Sequence, residues 1–170
     1  MDRYAMTGLL KGKVAVVTGG SKGIGYSIAE RFTKEGAKVV ISSRNKEELE
    51  VAAKKLSCDY FALDVSDSKS IESMKEWLID THGSLDILVN CAGAVRYDGI
   101  IEATEEDWDF QISVNLTGTF LMCNKLAPIM SDGGAILNIS STLGLRAMEG
   151  AVAYCAAKGG VVNLTKAMAL

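Results

Sequence analysis

The 170-residue sequence contains one histidine and four cysteines (Cys58, Cys91, Cys123, Cys155), with no CxxC pair among them. With His82 these residues make a poor metal set, so no metal is expected, and in a reducing compartment the cysteines read as buried free thiols. Charge of either sign is not in large excess: the net charge is −3, which gives no electrostatic argument for nucleic acid or an anionic membrane. Long apolar runs are missing as well. Charged residues interrupt every hydrophobic stretch before the ~20 residues that a bilayer-spanning helix needs. The opening MDRYAMTGLLKGK has no apolar core of the signal-peptide kind, so a cytoplasmic location is expected. Without a secretory route, the N-x-S/T triplets at Asn115, Asn138 and Asn163 carry no meaning as glycosylation sites. Repeats, low-complexity tracts and linkers are absent too. What is present is 48% hydrophobic and 23% charged, a composition suited to one compact domain over residues 1–170.

The hydrophobic pattern alternates between strand and helix. Lys13 to Thr18 (KVAVVT) is a short β-branched run, read as a buried strand. A glycine-rich turn follows, then helical spacing from Ile24 to Glu35, with Gly36 as a left-handed stop. Further strands are expected over Lys38–Ser43, Asp59–Val65, Leu85–Asn90 and Ala135–Ser140. Between them fall helices over Asn45–Leu56 (Asn45 as cap), from Asp67 or Ser68 to Thr81, and over Asp107–Met130 with Pro128 near its end. A last helix runs from Val152 to Leu170. Five such alternations with near-continuous apolar strands predict an α/β fold: a doubly wound parallel sheet of the Rossmann kind, covered on both faces.

The turn TGGSKGIG, Thr18 to Gly25, lies between the first strand and the first helix. There, backbone N–H groups and the helix N-terminus form a site for a pyrophosphate, and glycine allows the close backbone approach that a Cβ would obstruct. An NAD site usually has Asp or Glu at the end of the second strand to accept the ribose 2′-hydroxyl. This chain has Ser43 there, followed by Arg44. An acid would repel a 2′-phosphate, whereas Arg44 can form charge-assisted bonds to it, and Lys22 adds a cation in the turn itself. The expected cofactor is NADP(H).

One more stretch, YCAAK, sets Tyr154 and Lys158 four residues apart in the last helix, and so on one face. A fixed ammonium near a phenol favours the phenolate and so a proton exchange with an alcohol or carbonyl oxygen. Ser141 lies 13 residues before Tyr154, just past the fifth strand, at the carboxyl edge where open α/β sheets bind ligands.

TGGSKGIG, LDV at 63–65, NCAG at 90–93, VN at 114–115, the serine of ISST (Ser141) and YCAAK resemble, in order and spacing, the short-chain dehydrogenases/reductases. Members such as 3-oxoacyl-carrier-protein reductases and glucose dehydrogenases look most alike, and the likeness runs from Leu10 to Leu170. It implies a cofactor site comprising Gly19, Ser21, Lys22, Gly23, Ile24, Gly25, Ser43, Arg44, Asp64, Val65, Asn90, Ala92, Gly93, Tyr154 and Lys158. Asp64 and Val65 would contact the adenine; Asn90, Ala92 and Gly93 would line the adenosine ribose and support the central strand. It implies a catalytic tetrad of Asn115, Ser141, Tyr154 and Lys158. Asn115 would kink its helix and hold a water leading toward the lysine, and Ser141 would donate to the substrate oxygen. Its neighbours Ser140 and Thr142 are also hydroxyls; the offset from Tyr154, taken with the family, selects Ser141. Cys91 stands where the family commonly has a second Asn.

Members usually run longer, with two further strands and a flexible substrate loop. The expectations are therefore twofold: an NADP-dependent oxidoreductase acting on a small-molecule carbonyl or secondary alcohol, or a catalytically idle remnant that binds nucleotide or a partner subunit. By resemblance alone, the helices beginning near Asp107 and Val152 would pack in a homo-oligomer, a dimer or tetramer. Arg146 could meet an anionic substrate or be solvated.

Overall fold

A computed structural model describes residues 8–170 of the protein. The leading segment MDRYAMT, part of the stretch read for a signal peptide, lies outside the described residues. Five strands, β1 (Val14–Thr18), β2 (Lys38–Ser43), β3 (Asp59–Ala62), β4 (Leu85–Asn90) and β5 (Met130–Asn138), form one sheet in the order β3-β2-β1-β4-β5. Every pairing is parallel, with Val16 set against Val40 on one side and Leu88 on the other. The chain builds outward from β1 to β3, then returns to β4 beside β1. That reversal opens a crevice beyond the carboxyl ends of β1 and β4.

All five residues of β1 are buried, as a central strand covered on both faces requires. Alternate residues serve opposite layers. Val14 and Val16 join a core with Ile71, Met74 and Leu78 of α3 (Ser68–His82) and Met122 and Leu126 of α5 (Gly118–Leu126). Val17 faces Ala29 of α1 (Gly23–Lys34) and Leu49, Ala52 and Ala53 of α2 (Lys46–Leu56). The last helix, α6 (Val152–Met168), packs against α4 (Glu105–Ile112) and the turn that follows it.

Helix starts fall into two groups. Asn45 caps α2 by accepting the Glu48 N–H at 3.1 Å, Asp67 caps α3 by accepting that of Lys69 at 2.9 Å, and Thr104 caps α4 by accepting that of Asp107 at 3.1 Å. α1 and α6 have no side-chain cap and no acidic residue in their first turns. At the amino edge of the sheet, Asp86 accepts from Lys13 Nζ at 2.8 Å and from the Val14 N–H at 2.9 Å. Buried Glu35 there meets Arg31 at 2.5 Å and the Leu9 N–H at 3.2 Å.

Several expected boundaries move. The long helix over Asp107–Met130 is not continuous: α4 ends at Ile112, Ser113–Thr117 form a π-helical turn, and α5 ends at Leu126 before a 3-10 turn at Ala127–Ile129. Asn115 occupies the middle of the π-turn, completely buried, and its side chain bonds main-chain groups of Ala94 and Gln111. The third strand stops at Ala62 rather than Val65, because residues 63–65 leave the sheet for the crevice. The fifth strand starts at Met130, not Ala135, through a register shift opposite Leu85–Ile87, and ends at Asn138. The last helix ends at Met168, two residues before the expected Leu170. Among the described residues no helix is long and apolar enough to cross a membrane.

Candidate active site

The crevice is a cleft of about 860 Å³ at the carboxyl edge of the sheet. Of the residues expected to hold a cofactor, Gly19, Ser21, Lys22, Ile24, Gly25, Ser43, Arg44, Asp64, Val65, Ala92, Gly93, Tyr154 and Lys158 line it. Gly23, Asn90, Asn115 and Ser141 do not.

Each exception has a local cause. Gly23 starts α1 at φ +59°, where it shapes the turn. Asn90 is buried and points away from the cleft: Nδ2 donates to Asn138 Oδ1 at 2.8 Å and to Cys123 Sγ at 3.2 Å. Its side chain ties β4 to β5 and so supports the central strand. Asn115 lies behind the wall. Its Oδ1 accepts the Ala94 N–H at 3.1 Å, while Nδ2 donates to the carbonyls of Ala94 (2.7 Å) and Gln111 (2.9 Å). The loop after β4 is thus pinned through both main-chain groups of one residue, Ala94, and the Asn115 side chain has no donor left for a water. Ser141 caps a 3-10 turn (Thr142–Gly144), its oxygen accepting the Leu143 N–H at 3.1 Å.

Glycine is required at two points in the turn. Gly19 sits at φ +68°, and a Cβ there would fall 3.0 Å from Ala92 Cα. A Cβ on Gly25 would fall 2.3 Å from the Gly19 carbonyl oxygen. The turn therefore folds tightly onto α1 and the β4 loop. Thr18, not singled out in the sequence, completes the joint: buried at the end of β1, its hydroxyl accepts the N–H groups of Cys91 and Ala92, both at 3.0 Å.

At the far end, Lys158 is 5% exposed and its Nζ donates to the Ile139 carbonyl at 2.9 Å. Nζ lies 5.8 Å from the centre of the Tyr154 ring, so both side chains meet in one wall of the cleft. Burial pushes the Lys158 ammonium below its ordinary value, against a smaller opposing pull from Cys91. The Ser140 hydroxyl, the neighbour set aside in the sequence in favour of Ser141, lines the cleft, donates to the Lys158 carbonyl at 2.9 Å and holds α6 against the end of β5. Asp98 forms a parallel bridge to Ala151, joining the loop after β4 to the start of α6 beside Tyr154.

The opposite end is charged. Lys22, Arg44 and Glu48 all line it, with Lys22 Nζ 3.4 Å from Glu48 Oε2. Arg44 has no ion-pair partner among the described residues. Nothing in the sequence links residues 22 and 48, which meet only because α1 and α2 pack side by side. Asp64, between the two ends, accepts from the Ser66 N–H at 2.9 Å and from its hydroxyl at 2.6 Å. An uncapped helix start, a turn with no room for a Cβ at Gly19 or Gly25 and a free guanidinium suit an elongated, anionic ligand. Among the described residues no cluster of His, Cys, Asp or Glu could hold a metal ion.

Sheet order and the flanking helices place the chain in the class of Rossmann-like α/β folds. A family model described as short chain dehydrogenase matches residues 13–170, and the chain belongs to that family. It is 40% identical over 167 residues to a D-threitol dehydrogenase of Mycolicibacterium smegmatis, covering 94% of this chain and 64% of that protein. It is 36% identical to a 3-oxoacyl-[acyl-carrier-protein] reductase of Thermotoga maritima (94% and 68% covered) and 37% identical to a sorbitol dehydrogenase of Cereibacter sphaeroides (95% and 65%). A crystal structure of a short chain dehydrogenase from Mycobacterium smegmatis superposes with a TM-score of 0.91 at 33% identity, covering 95% of this chain and 71% of that one. The chain thus spans about two-thirds of the length of these curated relatives.

Proposed function

We propose that the chain carries the cofactor site and proton-transfer residues of an NADP(H)-dependent oxidoreductase that interconverts a carbonyl and a secondary alcohol. The observation that carries this reading is the joining, in one cleft, of the Tyr154–Lys158 wall to the uncapped start of α1. Relatives named for threitol, sorbitol and 3-oxoacyl-carrier protein support the alcohol–carbonyl chemistry without choosing among substrates.

The backbone of Gly19 to Gly25 and the start of α1 would hold the pyrophosphate, and Ser43, Arg44 and Lys22 the 2′-phosphate. Asp64 and Val65 would flank the adenine, with Ala92 and Gly93 beside its ribose. When bound, the reduced nicotinamide supplies the hydride to the carbonyl carbon. Tyr154 gives the oxygen its proton, so that hydride and proton together complete the alcohol. Lys158, with one N–H on Ile139, keeps two others for the ribose hydroxyls and the Tyr154 oxygen. Ser141 accepts the Leu143 N–H, which leaves its own proton free to be donated to the substrate oxygen. Asn115 acts through Ala94, fixing the height of the loop against which ring and substrate would stack. Exposed Trp108 and Phe120 on α4 and α5 support a homo-oligomer.

The test combines two titrations with one variant. NADPH is expected to quench protein fluorescence at a concentration at least about tenfold below that needed for NADH, a difference of ~1.4 kcal/mol. Tyr154→Phe is expected to bind NADPH as the parent does while losing turnover on a panel of ketones, 3-oxoacyl thioesters and polyols. Turnover retained by Tyr154→Phe, or equal affinity for the two nucleotides, would refute the corresponding half of the reading.

A further inference from the structure

The charged end of the cleft contains one group that the NADP(H) reading does not use. Glu48, the third residue of α2, lines the cleft with Lys22, Ser43 and Arg44, and its carboxylate is 3.4 Å from the Lys22 ammonium. Its place is fixed by Asn45, whose side chain caps the helix on the Glu48 N–H. Two cations and one carboxylate therefore face the corner where a 2′-phosphate would lie. Lys22 and Glu48 also border the adjoining groove between α1 and α2, which Glu47 and Lys55 line further along.

We propose that Glu48 is a specificity-determining residue: it competes with the 2′-phosphate of the cofactor for Lys22 and so limits the preference for NADPH over NADH. The proposal rests on the placing of the adenosine ribose beside Ser43 and Arg44 given above. A phosphate at that corner must draw Lys22 away from Glu48 and lies near a carboxylate of its own sign. A bare 2′-hydroxyl does neither, so NADH leaves the pair undisturbed. The competition is mild. The Lys22 and Glu48 side chains are 80% and 45% exposed, and a pair so open to water holds weakly and exchanges readily. Glu48 therefore sets a ratio rather than a barrier. Arg44, which has no carboxylate partner among the described residues, is the cation that meets the phosphate without competition.

Glu48→Gln keeps the side chain's size and removes its charge. In fluorescence titrations of the 170-residue chain at low salt, this variant is expected to bind NADPH about three- to fivefold more tightly, with NADH affinity changed by less than about twofold. The gain should shrink by more than half in 0.5 M salt, where screening reaches only a few ångströms. Glu48→Lys serves as a second variant and should move the NADPH/NADH ratio further in the same direction. Equal tightening of both nucleotides would overturn the proposal, because the charge would then act on the pyrophosphate. Weaker NADPH binding would overturn it too, since Glu48 would then be holding Lys22 in place for the phosphate. The wild-type ratio tests the NADP(H) reading alone, and the change in ratio between wild type and variant tests this inference alone. A wild type that prefers NADH, with a ratio that still moves toward NADPH in Glu48→Gln, would refute the former and keep the latter.

Discussion

The amino and carboxyl edges of the sheet are built from the same strands, yet they treat polar groups differently. At the amino edge, donors and acceptors close on one another. Asp86 bridges Lys13 and the Val14 N–H, and Glu35 takes Arg31 and the Leu9 N–H. At the carboxyl edge, α1 and α6 begin without caps, Arg44 lines the cleft with no ion-pair partner among the described residues, and a lysine is buried against one carbonyl. Capped helices show that the chain can close such ends even in the cleft lining itself, as Asn45 does for α2. Unmet donors gathered at one edge therefore mark where a ligand completes the fold's hydrogen bonding.

The contrast can be broken by experiment, most sharply beneath the cleft. Asn115 is the polar anchor under the open edge, so Asn115→Leu should behave like a core lesion rather than a site lesion. It strands the Ala94 peptide and the Gln111 carbonyl, at a cost of roughly 2–4 kcal/mol in urea unfolding. A loss below about 1 kcal/mol would show that the loop has another anchor. Next in size, Asp86→Ala at the closed edge should cost about 1–3 kcal/mol at neutral pH and leave nucleotide binding alone, because the Val14 N–H is left buried without a partner.

That second effect has a definite pH signature. Lys13 first, then the Val14 N–H, hold the Asp86 carboxyl below its ordinary 3.8. A depressed carboxyl adds stability that is complete above 3.8 and is lost as pH falls through the folded value. Wild type and Asp86→Ala should therefore converge in acid, and parallel acid limbs would count against the assignment.

The smallest expected change in stability carries the opposite sign. Lys158 is buried, and desolvation lowers its affinity for a proton below the ordinary 10.5. Its charge thus opposes folding at neutral pH, and the penalty fades as pH rises toward 10.5. Lys158→Met should leave thermal stability unchanged or raise it by about 1 kcal/mol, while abolishing turnover. The gap between the two proteins should narrow in alkali. A destabilisation above about 2 kcal/mol would make Lys158 a structural residue of the same kind as Asp86.

Much of this arrangement is legible in the sequence where the signal is local. β1, β2 and β4, the cap Asn45, the start of the third helix at Asp67 or Ser68, the glycine turn and the Tyr154–Lys158 spacing all depend on residues within a few positions of one another. What is not legible depends on packing between distant segments. The Lys22–Glu48 pair and the Thr18 bonds to Cys91 and Ala92 exist only once α1, α2 and β4 are side by side. Asn90 and Asn115 show the same limit from the other side. Support of the central strand and a break in the helix are legible from these two asparagines, but the partners they hold, Asn138 and Ala94, are not. The start of β5 at Met130 escapes because Asp132, Gly133 and Gly134 break the apolar pattern that sequence reading follows.

The π-turn at Ser113–Thr117 has one more consequence, for the rotational phase of the helices on either side of it. A residue of α-helix advances the side-chain direction by about 100°, and a turn that holds one extra residue leaves everything after it rotated by about that amount. The residues of α4 and those of α5 are thus written in two different angular frames, although they follow one another without a break in helical chain. Gln111 and Thr119, four residues before and after it, both lie against Asn115 across this turn. The insertion of one residue's worth of turn is the device by which a surface helix is steered so that its polar midpoint, rather than its apolar stripe, reaches under the cleft.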